Sequence, residues 1–190
     1  MDAATNAAGL SDEELMCAYR DGEAACFDKL YQRHASSLYR FVVRNAGDEQ
    51  HANELFQDIW MRVINSRARY VPTASFRTWL FSIVHNRLTD YYRAQARRNA
   101  RIEAASTDFE QFSDPDPLPG EALQNTQLQQ ALIREIGTLP RVQREAFLLK
   151  EEAGLSLDQI AEVVGSSRET IKSRLRYAVA KLRTALREEL

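Results

Sequence analysis

The sequence has only two cysteines, Cys17 and Cys26, nine residues apart, with no Cys-x-x-Cys pair or histidine cluster beside them. That excludes a disulfide framework and argues against a metal or redox centre; thiols in a reducing cytosol are the expectation. No apolar run approaches the roughly 20 residues a membrane span needs, and the first residues lack a secretory signal's basic start and apolar middle. With seven glycines in the chain, a phosphate-cradling loop has few places to be. No paired carboxylates at metal spacing and no nucleophile constellation occur, so an enzyme acting on nucleic acid is the weakest reading, and no cofactor or metal is expected. Strand-like alternation of any length and internal repeats are missing too. The expected fold is all-α.

What is present is charge, unevenly placed. The 44% apolar and 27% charged content is ordinary for a globular protein, and the net charge of −2 hides a segregation. Residues 1–59 carry 5 basic and 11 acidic side chains, a net of −6. Residues 60–101 carry 9 and 1 (+8), 102–121 carry 0 and 6 (−6), and 122–190 carry 11 and 9 (+2). Attraction to phosphate depends on local patches rather than on the total, so two basic surfaces are set against two acidic ones.

The same pattern divides the chain. Three of the five prolines fall in "SDPDPLPGE" (Ser113–Glu121). Prolines this dense forbid a continuous helix, and the acids keep the segment extended and solvated. Residues 10–100 therefore read as one helical domain, 101–121 as an acidic, proline-containing linker, and 122–187 as a second helical domain.

Within the first domain, "FDKLYQRHASSLYRFVVRN" repeats apolar residues at Phe27, Leu30, Tyr31, Leu38, Phe41 and Val42. "NELFQDIWMRVI" gives a stripe of Leu55, Phe56, Ile59, Trp60, Val63 and Ile64, with Glu54, Gln57, Asp58 and Met61 mostly outside it. "SFRTWLFSIVHNRLTDYYRAQARR" gives a third stripe of Phe76, Trp79, Leu80, Ile83, Val84, Leu88 and Tyr91. On the opposite face of that third helix stand Phe81, His85, Thr89 and Tyr92, followed by Arg93, Arg97 and Arg98. Exposed rings interleaved with arginines suit unpaired bases and their phosphates. A helix packing on another part of the same chain accounts for the pattern equally well.

The second domain carries two helix-start signatures, Ser156-x-x-Gln159 and Ser166-x-x-Glu169, each of which fits a capping box. Leu157, Ile160, Ala161 and Val164 line a short helix that Gly165 can end in the left-handed conformation. A short helix, a tight turn and a second capped helix make a helix-turn-helix. In the last helix Ile171, Leu175, Ala178, Val179, Leu182 and Leu186 are the expected buried stripe. From Arg168 to Arg187 it holds seven basic residues and one acid, Glu169. Such repulsion costs folding energy that phosphates would offset. Arg168, Glu169, Lys172, Ser173 and Arg176, near its start, are the candidate base readers.

Together these segments resemble a bacterial RNA polymerase sigma factor of the sigma-70 family, in its compact extracytoplasmic-function (ECF) group. The resemblance rests on "FDKLYQRH", "ANELFQDIWMRVI", "SFRTWLFSIVHNRLTDYYRAQARR" and "LPRVQREAFLLKEEAGLSLDQIAEVVGSSRETIKSRLRYAVAKLR", in the family's order and spacing. It implies a first domain (region 2) that melts and reads the promoter −10 element as single strand. A second domain (region 4) would read the −35 element as duplex. It assigns Glu54, Gln57, Asp58 and Arg62 to the β′ clamp helices of core polymerase, and implies a further contact to the β flap. Ser66, Tyr70, Ile83 and Asn86 match a pocket for a flipped −10 base, and Phe81, His85, Tyr92, Arg93, Arg97 and Arg98 extend that surface. Arg168, Lys172, Ser173 and Arg176 match −35 readers, and Lys150 a phosphate contact. An anti-sigma factor, a bacterial cytoplasmic location and no enzymatic activity are further implications. The linker would enter the polymerase's cleft.

Some positions depart from the family pattern. His51 and Asn53 stand where an acidic pair is usual, Asp90 is the sole acid of the basic third helix, and Tyr177 faces the presumed groove. The competing reading is a helix-turn-helix regulator of duplex DNA whose first domain is a sensor or dimerisation module. The basic, aromatic-bearing third helix speaks against it, since a sensor does not need one.

Overall fold

A computed structural model describes residues 9–103 and 126–188, in which eight α-helices, one 3-10 turn and no strand are found. In chain order they are α1 (Asp12–Arg20), α2 (Ala24–Ala46), α3 (Glu49–Ser66), the 3-10 turn Arg67–Arg69, α4 (Phe76–Glu103), α5 (Thr126–Gly137), α6 (Arg141–Glu151), α7 (Leu157–Val164) and α8 (Arg168–Glu188). The expected linker's first three residues are the end of α4; the rest of it lies outside the described residues, as does the segment 122–125.

Local chemistry fixes the helix ends. Ser11 accepts from the Glu14 amide while Glu14 reaches back to the Ser11 amide, a full capping box at α1. Asp48 caps α3 by accepting from the His51 amide at 2.8 Å. His51, one of the departures from the family pattern, also bonds the same carboxylate through its ring at 2.6 Å and lies against Tyr91, 5.6 Å between centroids. α2 ends at Gly47, whose φ of 87° no side chain adopts cheaply.

The first domain is a bundle of α1–α4, closed over Leu15, Met16, Leu30, Leu38, Phe41, Leu55, Ile59, Val63, Phe76, Leu80, Val84 and Leu88. Each is within 1% of full burial, and truncating any of them to alanine costs about 2–5 kcal/mol. A buried histidine sits among them, paired with a half-buried carboxylate. His34 donates from Nε2 to Asp12 at 2.7 Å, and Asp12 also takes Arg33 at 2.8 Å. Burial holds the His34 imidazole below its ordinary value despite Asp12 beside it. Burial pushes Asp12 the other way, but bonds from Arg33 and His34 keep its carboxyl below the usual range.

In the second domain α5, α6 and α7 pack around α8 over Leu148, Leu149, Leu155, Ile160, Ile171, Ala178 and Leu182. The two domains touch: α7 lies against α4, and α6 and α5 against α2, so that the buried side chains form one continuous cluster. One expectation changes. Phe81, placed by periodicity on the outer face of α4, is wholly buried, edge-on to Phe41 at 5.2 Å and 82°. α4 has protein on more than one side, so its stripe is wider than an amphipathic pattern indicates.

Candidate polymerase and nucleic-acid interfaces

The helix-turn-helix forms as its caps require. Ser156 and Gln159 close a capping box at α7, and Gly165 adopts φ 61°, ψ 44°. The amide of Ser166 then bonds back to Ala161 O at 2.9 Å. α8 starts one residue later than expected. Ser167, not Ser166, is its cap: the Ser167 hydroxyl accepts from the Thr170 amide at 3.1 Å, and Ser167 O takes the Ile171 amide. Ile171, Ala178 and Leu182 are buried and Leu175 and Leu186 half-buried, whereas Val179, expected inside, is 41% exposed. It lines an open apolar groove of ≈ 380 Å³ with Leu132, Phe147, Leu182 and Leu186.

The opposite face of α8 is open to solvent. Arg168, Glu169, Lys172 and Arg176 are exposed and Ser173 is half-exposed. Arg168 lies 3.3 Å from Asp158, and the Arg176 guanidinium sits 5.2 Å over the ring of Tyr177. Lys150 is exposed and donates from Nζ to Leu155 O at 3.4 Å. These groups present a cationic face of major-groove width on a capped helix.

The first domain's face is built differently. α1 positions it from behind: Glu13 accepts from the Phe76 amide at 2.7 Å, capping α4, and Arg20 donates to Tyr70 O at 3.1 Å. That backbone bond holds the Glu13 carboxyl below its ordinary range. Asn86, Arg93, Arg97 and Arg98 are exposed, and Ser66 and Ile83 half-buried. Tyr70 is 1% exposed beneath Trp79 (5.0 Å between centroids), and burial pushes its phenol up to about 12. Its hydroxyl has no hydrogen-bond partner among the described residues.

The remaining residues expected on this face meet the second domain. His85 Nδ1 lies 2.6 Å from Glu145 of α6. Tyr92 donates its hydroxyl to Asn45 O at 2.7 Å, and the Arg141 guanidinium stacks 4.5 Å over its ring. Burial raises the Tyr92 phenol. The expectation of an outward face of free rings on α4 is therefore corrected for this closed chain. Phe81 is core, and His85 and Tyr92 are covered by α6.

On α3, Glu54 and Gln57 are exposed. Asp58 is flanked by Arg62 at 3.2 Å and by Arg87 of α4. Asp90 stands 4.0 Å from Arg62 and so joins this network. Met61 adds an apolar patch beside it, 52% exposed. Asp58 is thus engaged by two arginines, and the exposed acids of α3 are Glu49 and Glu54.

Comparison with known proteins follows these two faces. Residues 30–98 match the family "Sigma-70 region 2", and residues 129–182 match "Sigma-70, region 4". The ECF RNA polymerase sigma factor SigL of Mycobacterium tuberculosis is 32% identical over 173 residues, 87% of this chain and 92% of its own. The chain belongs to the ECF sigma factors of the sigma-70 family. The ECF sigma factor SigE of Mycolicibacterium smegmatis is 31% identical over 160 residues, 84% of this chain; the match spans 61% of that relative's length. Two solved structures share the fold at 23% identity. CnrH in complex with the cytosolic domain of CnrY has a TM-score of 0.69, covering 94% of this chain and 99% of that one. RpoE in complex with the anti-sigma factor NepR from Bartonella quintana has 0.70, covering 85% and 96%. The family and the all-α, two-domain fold expected from the sequence are both borne out. The region 2 match runs from Leu30 in α2 into α4, and the region 4 match from within α5 into α8.

Some residues that shape these faces carry no local signal. Glu13 and Arg20 act across 63 and 50 residues of sequence, and Glu145 reaches His85 across 60. The local signal that could have located α1 is Ser11-x-x-Glu14, a capping-box pattern the sequence reading did not use.

Proposed function

We propose that the chain brings core RNA polymerase to specific promoters by reading two DNA elements with its two domains. Region 4 reads the −35 element as duplex through Arg168, Glu169, Lys172, Ser173 and Arg176, with Lys150 on a phosphate. Region 2 opens the −10 element and holds the strand through Ser66, Ile83, His85, Asn86, Tyr92, Arg93, Arg97 and Arg98. Unpairing and unstacking a base costs a few kcal/mol, which a polar pocket around Asn86 and the Tyr70 loop offsets for the right base. Glu54 and Gln57, with Asp58 and Arg62 beside them, dock on the β′ clamp helices. The apolar groove of Leu132, Phe147 and Val179 suits the β flap. The observation that carries this reading is the exposed cationic face of α8 behind a fully capped turn.

The chain acts in the bacterial cytoplasm as a binding subunit, with no chemistry of its own. Among the described residues no helix is long and apolar enough to cross a membrane. CnrH and RpoE of B. quintana are each solved with a partner, the latter an anti-sigma factor. We extend the same kind of control to this chain. Run-off transcription with core polymerase on genomic fragments tests the reading. Discrete transcripts that depend on the chain are expected. Fragment retention by the chain alone with no transcripts would favour a regulator of duplex DNA instead.

A further inference from the structure

The surface by which α6 covers region 2 has the chemistry of a nucleic-acid strand. Arg141, Glu145 and Glu152 fall within about 40° of one another around the helix axis at 100° per residue, Glu152 being the residue that ends α6. Each meets a different group. Arg141 lays a planar guanidinium on the Tyr92 ring, where a base would stack. Glu145 puts a carboxylate oxygen on His85. Glu152 gives one oxygen to Arg40 Nε at 2.8 Å and the other to Arg44.

The last of these contacts is the most informative. Arg40 and Arg44 stand four residues apart on α2, where like charges repel. Glu152 lies between them with its side chain only 10% exposed. Nothing in the −10 assignment uses either arginine. Yet they adjoin that surface, because Tyr92 bonds to Asn45 O, next to Arg44. The guanidinium fork takes the paired oxygens of carboxylate and phosphate alike. When the domains part, the pair loses its only anion among the described contacts.

We propose that Arg40 and Arg44 form a phosphodiester site for the promoter strand, and that Glu152 fills it as an internal stand-in while the domains are closed. The inference rests on the −10 reading of region 2 and extends its track across Tyr92 onto α2. Closure and strand binding then exclude each other. The apparent affinity of the free chain for single strand is its intrinsic affinity scaled by the open fraction.

The test uses the full chain and a fluorescein-labelled 12-nucleotide oligo-dT, with small-angle scattering to follow domain separation. E152Q is expected to enlarge the particle and tighten oligonucleotide binding roughly tenfold, the order expected from losing one charge-assisted contact. R40Q/R44Q is expected to enlarge it as much but to bind more weakly than wild type, with the salt slope reduced by roughly one. R40K/R44K, which keeps the charge and loses the fork, should fall between the two, and serves if the glutamine pair melts early. If R40Q/R44Q opens the chain and binds as tightly as E152Q, the arginines only tie the domains together and the site is refuted. Unchanged binding by an opened E152Q overturns the stand-in. Run-off transcription on the same preparations separates this from the broader reading: silence from wild type would fail the sigma assignment, whatever the oligonucleotide shows.

Discussion

The proposed reading faces of α8 and α4 are both basic and both helical, yet one stands open and the other is covered by its own chain. α8 leaves Lys172 and Arg176 in solvent. α4 has His85 and Tyr92 under α6 and Phe81 inside the core. On the proposed reading, the difference follows from what each would hold. Duplex DNA offers a preformed groove, so a face that reads it can be left standing. An unpaired strand is held by rings and forks that, left bare, would adhere to other surfaces. On the proposed reading, covering them with complementary side chains makes strand binding conditional on opening.

The largest effect expected distinguishes core from stacking. Phe81→Ala should cost about 3–5 kcal/mol of stability in urea unfolding, because the ring fills space against Phe41. A stable Phe81→Ala that only lost −10 strand binding would restore Phe81 to the reading face. Next, Lys172→Ala and Arg176→Ala should each weaken −35 duplex binding by about 1–3 kcal/mol in fluorescence anisotropy. Stability should move by no more than about 0.5 kcal/mol, since both are exposed. A comparable loss of stability would mean that α8's open face is structural after all.

Smaller effects sharpen the support behind each face. Glu13→Ala removes a cap from α4 and should cost about 1 kcal/mol in denaturant. The pH dependence has a defined sign. His34 is held below its ordinary value by burial, so the fold takes up fewer protons than the open chain. Its contribution is complete above about pH 6.5 and is lost as pH falls toward its folded value. Asp12 and Glu13, also lowered, contribute above the ordinary carboxylate range of about pH 4 and are lost as pH falls below it. Melting temperature should therefore fall in two steps on acidification, and His34→Gln should remove the first. Smallest, Ser167→Ala should cost about 1 kcal/mol and Ser166→Ala less than half that, as read by thermal melting, if α8 starts where the hydroxyl of Ser167 caps it.

The sequence made legible whatever is periodic or local. The stripes of α2, α3 and α4 name most of region 2's core. Ser156, Gln159 and Gly165 locate the turn of region 4 without any knowledge of its neighbours. What escaped is long-range. Nothing in a helical pattern says that Phe81 will meet Phe41, or that Glu152 will cross to Arg40 and Arg44. The capping residue of α8 escaped for a finer reason. Ser166 has the box residue Glu169 three positions on and Ser167 has only Thr170, yet the backbone geometry after Gly165 makes Ser167 the cap. The segregation of charge nonetheless indicated that basic and acidic surfaces were available to meet.

The joint between the domains adheres in two ways at once, by ion pairs at Glu152 and by a hydrophobic cluster that runs unbroken from α4 into α7. These answer to different variables. Salt loosens the exposed part of the first, and cold loosens the second, because apolar burial is weaker at low temperature. The joint should therefore hold best at moderate warmth and low ionic strength and least well when cold and at high ionic strength.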